Sequence, residues 1–171
     1  LMTTKKEDQI LILIGGPSSA CQWRNDFIYQ QLLDKIAGVQ SELKIILSTS
    51  RRTPKDFISG MPQNILHRVE VVDFQEVDAQ WLPEQLLKSR DAWVTSDSVS
   101  MMYEALSAGC KVSVLDVQGL TGKIAKNLQC LIVNHRVNQT DDVQSERLNE
   151  SYRVAQQLVK LGIFNDGVDQ T

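Results

Sequence analysis

The chain has 171 residues, of which 42% are hydrophobic and 23% are charged, and its formal net charge is −3. This composition is typical of a folded globular domain and argues against disorder. The absence of a basic excess argues against a nucleic-acid-binding protein. No run of the sequence approaches the roughly 18 apolar residues of a membrane span, and no signal peptide is visible.

Cysteine and histidine are sparse. The three cysteines, Cys21, Cys110 and Cys130, are odd in number and contain no CxxC spacing. They are therefore predicted to be reduced thiols in a cytoplasmic protein, and Cys110, which opens an apolar run, is predicted to be buried. Only His67 and His135 could join them as metal ligands, and their spacing predicts no metal site.

Short apolar runs alternate with longer amphipathic segments. In chain order, the pattern predicts strand Gln9–Ile14, helix Asn25–Ile36, strand Leu43–Leu47, a short helix capped by Thr53 with Pro54 in its first turn, strand Val69–Val72, helix Pro83–Ser89, strand Ala92–Thr95, helix Ser98–Ala108, strand Lys111–Leu115, helix Thr121–Ile132, a polar loop or fraying helix over Asn138–Glu146, and helix Leu148–Leu161.

The predicted strands are almost uniformly apolar, as strands are when helices cover both faces of a parallel sheet. We therefore predict an α/β fold: a doubly wound, Rossmann-like parallel sheet of five to six strands with helices on both faces. Residues 1–164 are predicted to form one domain, and residues 165–171 a disordered tail.

Open parallel sheets bind ligands beyond the carboxyl ends of their strands. After the first strand, Gly15-Gly16-Pro17-Ser18 allows a sharp turn whose amides could meet an anion, although for this segment taken alone a tight turn capped by a serine is the better explanation. After the second strand, Arg51 and Arg52 suit phosphate or carboxylate recognition; the alternative is an exposed basic turn.

The loops after the third and fourth strands carry further candidates. Phe74 could flank a base or belong to the core. Ser98 and Ser100 lie where a helix begins, and that helix start could hold a diphosphate. Glu104 lies one turn after Ser100 and could accept hydrogen bonds from ribose hydroxyls. The alternative is a helix capped by Asp97 or Ser98, with Glu104 solvated.

Three motifs in a fixed order carry a resemblance to a known family: Gly15-Gly16-Pro17-Ser18, Thr49-Ser50-Arg51-Arg52-Thr53-Pro54, and Asp97-Ser98-Val99-Ser100-Met101 followed by Glu104-Ala105. The sequence resembles the mitochondrial-fission (elongated mitochondria) family, whose members are similar to nucleoside-diphosphate-sugar enzymes. It also resembles the C-terminal donor-binding domain of type-B glycosyltransferases. It departs from the family in the segment after the fifth strand, where only Lys123 and Lys126 remain basic.

The resemblance implies that a nucleotide-diphospho-sugar is the substrate and that no cofactor or metal is required. Its diphosphate would lie between the Gly15–Ser18 turn and the Ser98–Met101 helix start, and Glu104 would hold the ribose. Phe74 would flank the base, and Arg51 or Arg52 would offset the phosphate charge.

The resemblance also implies an N-terminal domain of the same protein, which would supply the acceptor site and an acid/base residue. This chain would then be the C-terminal domain alone, and the full-length protein would associate peripherally with a membrane. A nucleotide-sugar epimerase and a non-catalytic interaction module are the alternatives to a glycosyltransferase.

Overall fold

A computed structural model of the chain describes residues 5–134 and 137–138. The strands are β1 (Glu7–Leu13), β2 (Lys44–Ser48), β3 (Glu70–Val72), β4 (Ser89–Thr95), β5 (Lys111–Leu115) and β6 (Val137–Asn138). The helices are α1 (Asn25–Ala37), α2 (Asp56–Ser59), α3 (Gln63–Leu66), α4 (Trp81–Lys88), α5 (Val99–Ser107) and α6 (Gly122–Val133), with a 3₁₀ turn at Phe74–Glu76.

The strands form one sheet in the order β3-β2-β1-β4-β5-β6, and every neighbouring pair is parallel. The chain builds the sheet outward from β1 to β3 and then returns to the centre to build β4 to β6 in the opposite direction. The order therefore reverses between β1 and β4, which is the point where sheets of this kind bind ligands. The predicted fold class is confirmed.

The uniform apolarity of the strands follows from two cores, one on each face of the sheet. On one face, Leu11 and Leu13 of β1 pack with residues of α4, α5 and α6. On the other face, Ile10 and Ile12 pack with residues of α1, α2 and α3. Successive strand residues point to opposite faces, so both sets must be apolar. Full burial of each such side chain contributes about 1.5–3 kcal/mol.

Most predicted elements lie within one to three residues of their observed bounds, and β5 matches its prediction at both ends. The sequence pattern does not predict three short elements, which span too few residues to show a period: α3, the 3₁₀ turn and β6. The predicted polar segment Asn138–Glu146 begins with Asn138, which ends β6, and the rest of it lies outside the described residues. The predicted helix Leu148–Leu161, the tail and His135 also lie outside them.

Candidate functional site

Three loops meet at the carboxyl edge of the sheet. They follow β1, β2 and β4, which are neighbours in the order β2-β1-β4. The first loop begins at Gly15, whose backbone N–H donates to the buried Thr95 hydroxyl at 2.8 Å. Thr95 is the last residue of β4, so this bond ties the turn after β1 to the end of its neighbour at the switch point.

A salt bridge joins the second loop to the third. The Arg52 guanidinium lies 2.8 Å from Asp97 Oδ2, and it also donates to the Gly16 carbonyl at 3.0 Å and to Ser98 Oγ at 3.3 Å. The Gly16 N–H donates to the same Asp97 oxygen at 3.1 Å. Arg52, Gly16 and Asp97 thus form a network, here called the three-loop network, which fixes the loops relative to one another.

Gly15 and Gly16 must lack side chains because the neighbouring loops lie very close to their backbone. A Cβ atom on Gly15 would lie 2.2 Å from Asp97 Oδ2, and one on Gly16 would lie 1.9 Å from the Arg52 carbonyl oxygen. Both distances are far below a normal contact, so no side chain fits at either position. The glycine pair therefore makes room for the loops of its neighbours.

The predicted role of Thr53 as a helix cap is wrong. Helix α2 starts later, with Lys55 at its N-cap position and no side-chain cap. The Thr53 hydroxyl instead accepts the Ser50 N–H at 2.8 Å and shares its one hydrogen between the carbonyls of Ile14 and Gly15, at 3.0 and 2.7 Å. These contacts hold the loop after β2 against the turn after β1, because they satisfy backbone carbonyls of that turn.

Helix α5 begins at this same edge. Ser98 occupies its N-cap position, but its side chain makes no capping hydrogen bond; its hydroxyl donates to Asp97 Oδ2 instead. Ser100 is exposed and Met101 half-buried. A helix start without a side-chain cap leaves amide hydrogens and a positive dipole end for another group to satisfy.

Glu104 lies one turn further along α5 and is exposed. Its carboxylate accepts no hydrogen bond from the part of the chain that the structure describes. Because residues four apart share one helix face, Glu104 and Ser100 lie on the same side of α5. The two candidates therefore share one side of α5, with Ser100 at the helix start and Glu104 one turn beyond it.

The other predicted site residues surround this network. Arg51 and Pro17 are exposed, and Ser18 is half-buried with its hydroxyl accepting the Ala20 N–H at 3.2 Å. Phe74 is half-buried, and its N–H donates to Thr49 Oγ1 at 3.2 Å, which ties the loop after β3 to the loop after β2.

Two concave surfaces lie near the sheet edges. An open groove of about 650 Å³ lies beside the Gly15–Ser18 turn, here called the glycine turn, and is lined in part by Pro17, Trp23 and Pro54. A cavity of about 450 Å³ lies at the opposite, amino edge, where Arg90, Asp91, Trp93 and Lys111 are among its lining residues. The second is the more enclosed, yet it lies away from the switch point, where open parallel sheets bind their ligands.

The described residues contain no group of three His, Cys, Asp or Glu side chains that could hold a metal ion. Cys110 is buried, as predicted, and this burial raises the pKa of its thiol, although the nearby Lys6 ammonium acts in the other direction. Within the described part of the chain, none of the helices has the length and hydrophobicity that crossing a bilayer requires.

Comparisons with known proteins bear on the fold and on the family. Phenylacrylic acid decarboxylase from Aquifex aeolicus is similar at 16% identity and a TM-score of 0.48, over 95% of this chain and 98% of that chain. A dodecameric FMN-dependent UbiX-like decarboxylase from Escherichia coli O157:H7 is similar at 9% identity and a TM-score of 0.47, over 94% and 100% of the two chains. Likeness of this degree says nothing about the site.

A comparison with curated proteins gives no match. The sequence profile of the family described as mitochondrial fission ELM1 matches residues 1–161. That match includes the glycine turn, the segment Thr49–Pro54 that carries Arg51 and Arg52 (here called the arginine loop) and the start of α5. These are the segments that carry the resemblance seen in the sequence. The chain belongs to the mitochondrial fission ELM1 family.

Proposed function

We propose that this domain binds the diphosphate of a nucleoside-diphosphate sugar and acts as the donor domain of a glycosyltransferase. The observation that carries the proposal is the start of α5, which lies at the switch point of the sheet and has no side-chain cap. Helix starts in this position are well suited to anions, because their free amides and dipole both favour negative charge.

The charges around the helix start support an anionic ligand. The Arg52 guanidinium is balanced by Asp97, so this pair adds little net charge. Arg51 is exposed and has no partner among the described residues, so it supplies the positive charge that a diphosphate would need. Arginine offers planar N–H pairs that match phosphate oxygens.

The remaining candidates fit the other parts of such a ligand. Glu104 would accept hydrogen bonds from the ribose hydroxyls, and Phe74 would lie against the base. As the donor sugar leaves, charge develops on the diphosphate, and Arg51 together with the α5 amides would stabilise it. The acceptor and an acid/base residue would come from an N-terminal domain, so this chain alone is expected to bind rather than to turn over substrate.

One observation favours the non-catalytic alternative. The amides of Gly15 and Gly16 donate to Thr95 and Asp97, so they are not available to a phosphate in this arrangement. The glycine turn would therefore shape the site, and the arginine loop and the start of α5 would bind the diphosphate. If those two segments also fail to bind nucleotides, an interaction module that has kept the fold becomes the better explanation.

Isothermal titration with UDP, GDP and inorganic pyrophosphate tests the proposal. We expect Arg51→Ala to weaken all three ligands, and Glu104→Ala to weaken the nucleotides by about 5- to 30-fold, the equivalent of one to two lost hydrogen bonds. Pyrophosphate has no ribose, so Glu104→Ala should leave its affinity unchanged.

Glu84→Ala is the matched control, since Glu84 is an exposed glutamate of α4 rather than α5. A wild-type domain that binds none of the three ligands would contradict the proposal and favour the interaction module. Product analysis of a full-length protein supplied with labelled donor sugars would separate transfer from epimerisation.

A further inference from the structure

We infer that Asp97 is a positioning residue that holds Arg52 and Gly16 in the arrangement that receives the anion, and that its own carboxylate does not touch the ligand. The inference rests on the proposed diphosphate site. Asp97 lies at the centre of the three-loop network. Its carboxylate and the diphosphate of a nucleotide are both negatively charged, so direct contact between them would be unfavourable.

The burial of Asp97 excludes direct contact. Its side chain is 0% exposed, whereas that of Arg52 is 42% exposed. Asp97 Oδ2 accepts hydrogen bonds from Gly16, Arg52 and Ser98 at 3.1, 2.8 and 3.3 Å. Its other oxygen, Oδ1, is buried and has no partner in the described structure. Only the guanidinium therefore presents a surface that a ligand can reach.

The position of the carboxylate is fixed on several sides. Gly15 has no Cβ, and this leaves space for Asp97 Oδ2. A Cβ at Gly15 would lie 2.2 Å from that oxygen. The Arg52 Nη1 group is held in addition by the Gly16 carbonyl at 3.0 Å. A guanidinium restrained at both ends loses less side-chain entropy when an anion binds.

Asp97 thus exerts two effects of opposite sign on a bound anion. Its hydrogen bonds orient Arg52 and the glycine turn, which favours binding, and its charge repels the anion, which disfavours it. If positioning dominates, loss of the carboxylate weakens binding while Arg52 is present. Once Arg52 is absent, its orientation no longer contributes and the repulsion weighs more, so loss of the carboxylate should leave binding unchanged or strengthen it.

A double-mutant cycle measures this change of sign, with inorganic pyrophosphate as the titrated ligand. We expect Asp97→Ala to weaken binding about tenfold and Asp97→Asn about threefold, because asparagine keeps an acceptor oxygen at the same place but loses the charge. In an Arg52→Ala background, the same two substitutions should leave affinity unchanged or raise it. A residue needed only for folding would weaken binding in both backgrounds.

Asp91→Ala is the control, because Asp91 also pairs with an arginine, Arg90, but at the opposite edge of the sheet. It should leave pyrophosphate affinity unchanged. If Asp97→Ala does not fold, Asp97→Asn completes the cycle alone. Tighter binding by Asp97→Asn with Arg52 intact, or equal weakening in both backgrounds, overturns the inference while the proposed function stands. A wild-type protein that binds neither pyrophosphate nor UDP removes both.

Discussion

The two edges of the sheet carry the same kind of ion pair in different settings. At the amino edge, Arg90 bonds its neighbour Asp91 at 2.9 Å and Asp8 at 3.1 Å. At the carboxyl edge, Arg52 bonds Asp97 at 2.8 Å. The Asp91 side chain is 17% exposed and that of Asp97 is 0% exposed. The first pair joins adjacent residues of β4, whereas the second joins two different loops.

The pair at the amino edge is accessible to solvent, whereas the pair at the carboxyl edge has a buried carboxylate that joins two loops. An exposed pair contributes little to stability, and its loss costs little. A buried carboxylate is costly unless it is paired, and Asp97 is paired with Arg52 through Oδ2. That pairing holds only while the loops keep their present arrangement. The more enclosed cavity lies at the amino edge, and the network that organises loops lies at the carboxyl edge. Cavity shape therefore favours a binding site at the amino edge, whereas the hydrogen-bonded loop network favours one at the carboxyl edge.

The largest expected difference between the edges concerns their glycines. Gly16→Ala should destabilise the domain by about 3 kcal/mol or more, because its Cβ would lie 1.9 Å from a backbone oxygen that cannot rotate away. Gly38→Ala, after α1, would meet nothing closer than 3.7 Å, and φ is −90° there. That substitution should stabilise the fold by about 0.4–1 kcal/mol or leave it unchanged.

Urea unfolding of both variants checks this contrast. Equal free energies of unfolding for Gly16→Ala and the wild type would show that the loops move apart freely. In that case the three-loop network would not be a fixed feature of the fold.

The second difference concerns the two carboxylates. Asp97→Ala removes the acceptor of three hydrogen bonds and leaves the Gly16 N–H without its partner. Loss of one member of a buried pair costs about 3–5 kcal/mol. Arg52 is 42% exposed and can be hydrated, so we expect about 2 kcal/mol here. Asp91→Ala should cost less than about 1 kcal/mol.

Thermal and urea unfolding in low and high salt measure both effects. The small contribution of the Asp91 pair should disappear in high salt, and most of the Asp97 contribution should persist, because buried pairs are screened less. Similar losses in the two variants would show that the edges do not differ in the way proposed.

The architecture of the domain can be predicted from the sequence alone. Apolar strands such as Leu43–Leu47 and Lys111–Leu115 alternate with amphipathic helices, and this pattern determines both the fold class and the sheet edge to search. It also brought Gly15, Arg52 and Asp97 to that edge, since each follows a predicted strand.

The pairing at that edge could not be predicted from the sequence. Arg52 and Asp97 lie 45 residues apart, and their contact depends on β1 lying between β2 and β4. Strand order is a tertiary property, and local sequence patterns do not determine it. Thr53 shows the same limit. Threonine before proline is a good helix start locally, but carbonyls of the turn after β1 compete for the hydroxyl.

The smallest expected effect lies in the groove beside the candidate site. Burial raises the pKa of Tyr29 above its ordinary value of 10.0, and the negative charge of Asp56 acts in the same direction. The folded protein therefore holds this proton more tightly than the unfolded chain does. The resulting stability is complete below pH 10 and is lost as the pH rises through the folded pKa.

Tyr29→Phe removes this titration together with the hydrogen bond that the hydroxyl donates to the Phe57 carbonyl. The variant should be slightly less stable at pH 8, and it should lose less free energy of unfolding than the wild type between pH 9 and pH 11. Absorbance at 295 nm should show one tyrosinate fewer, at the high end of the titration. If Tyr29 ionises at its ordinary pH instead, its hydroxyl is hydrated, and the groove is more open than the contact with Phe57 requires.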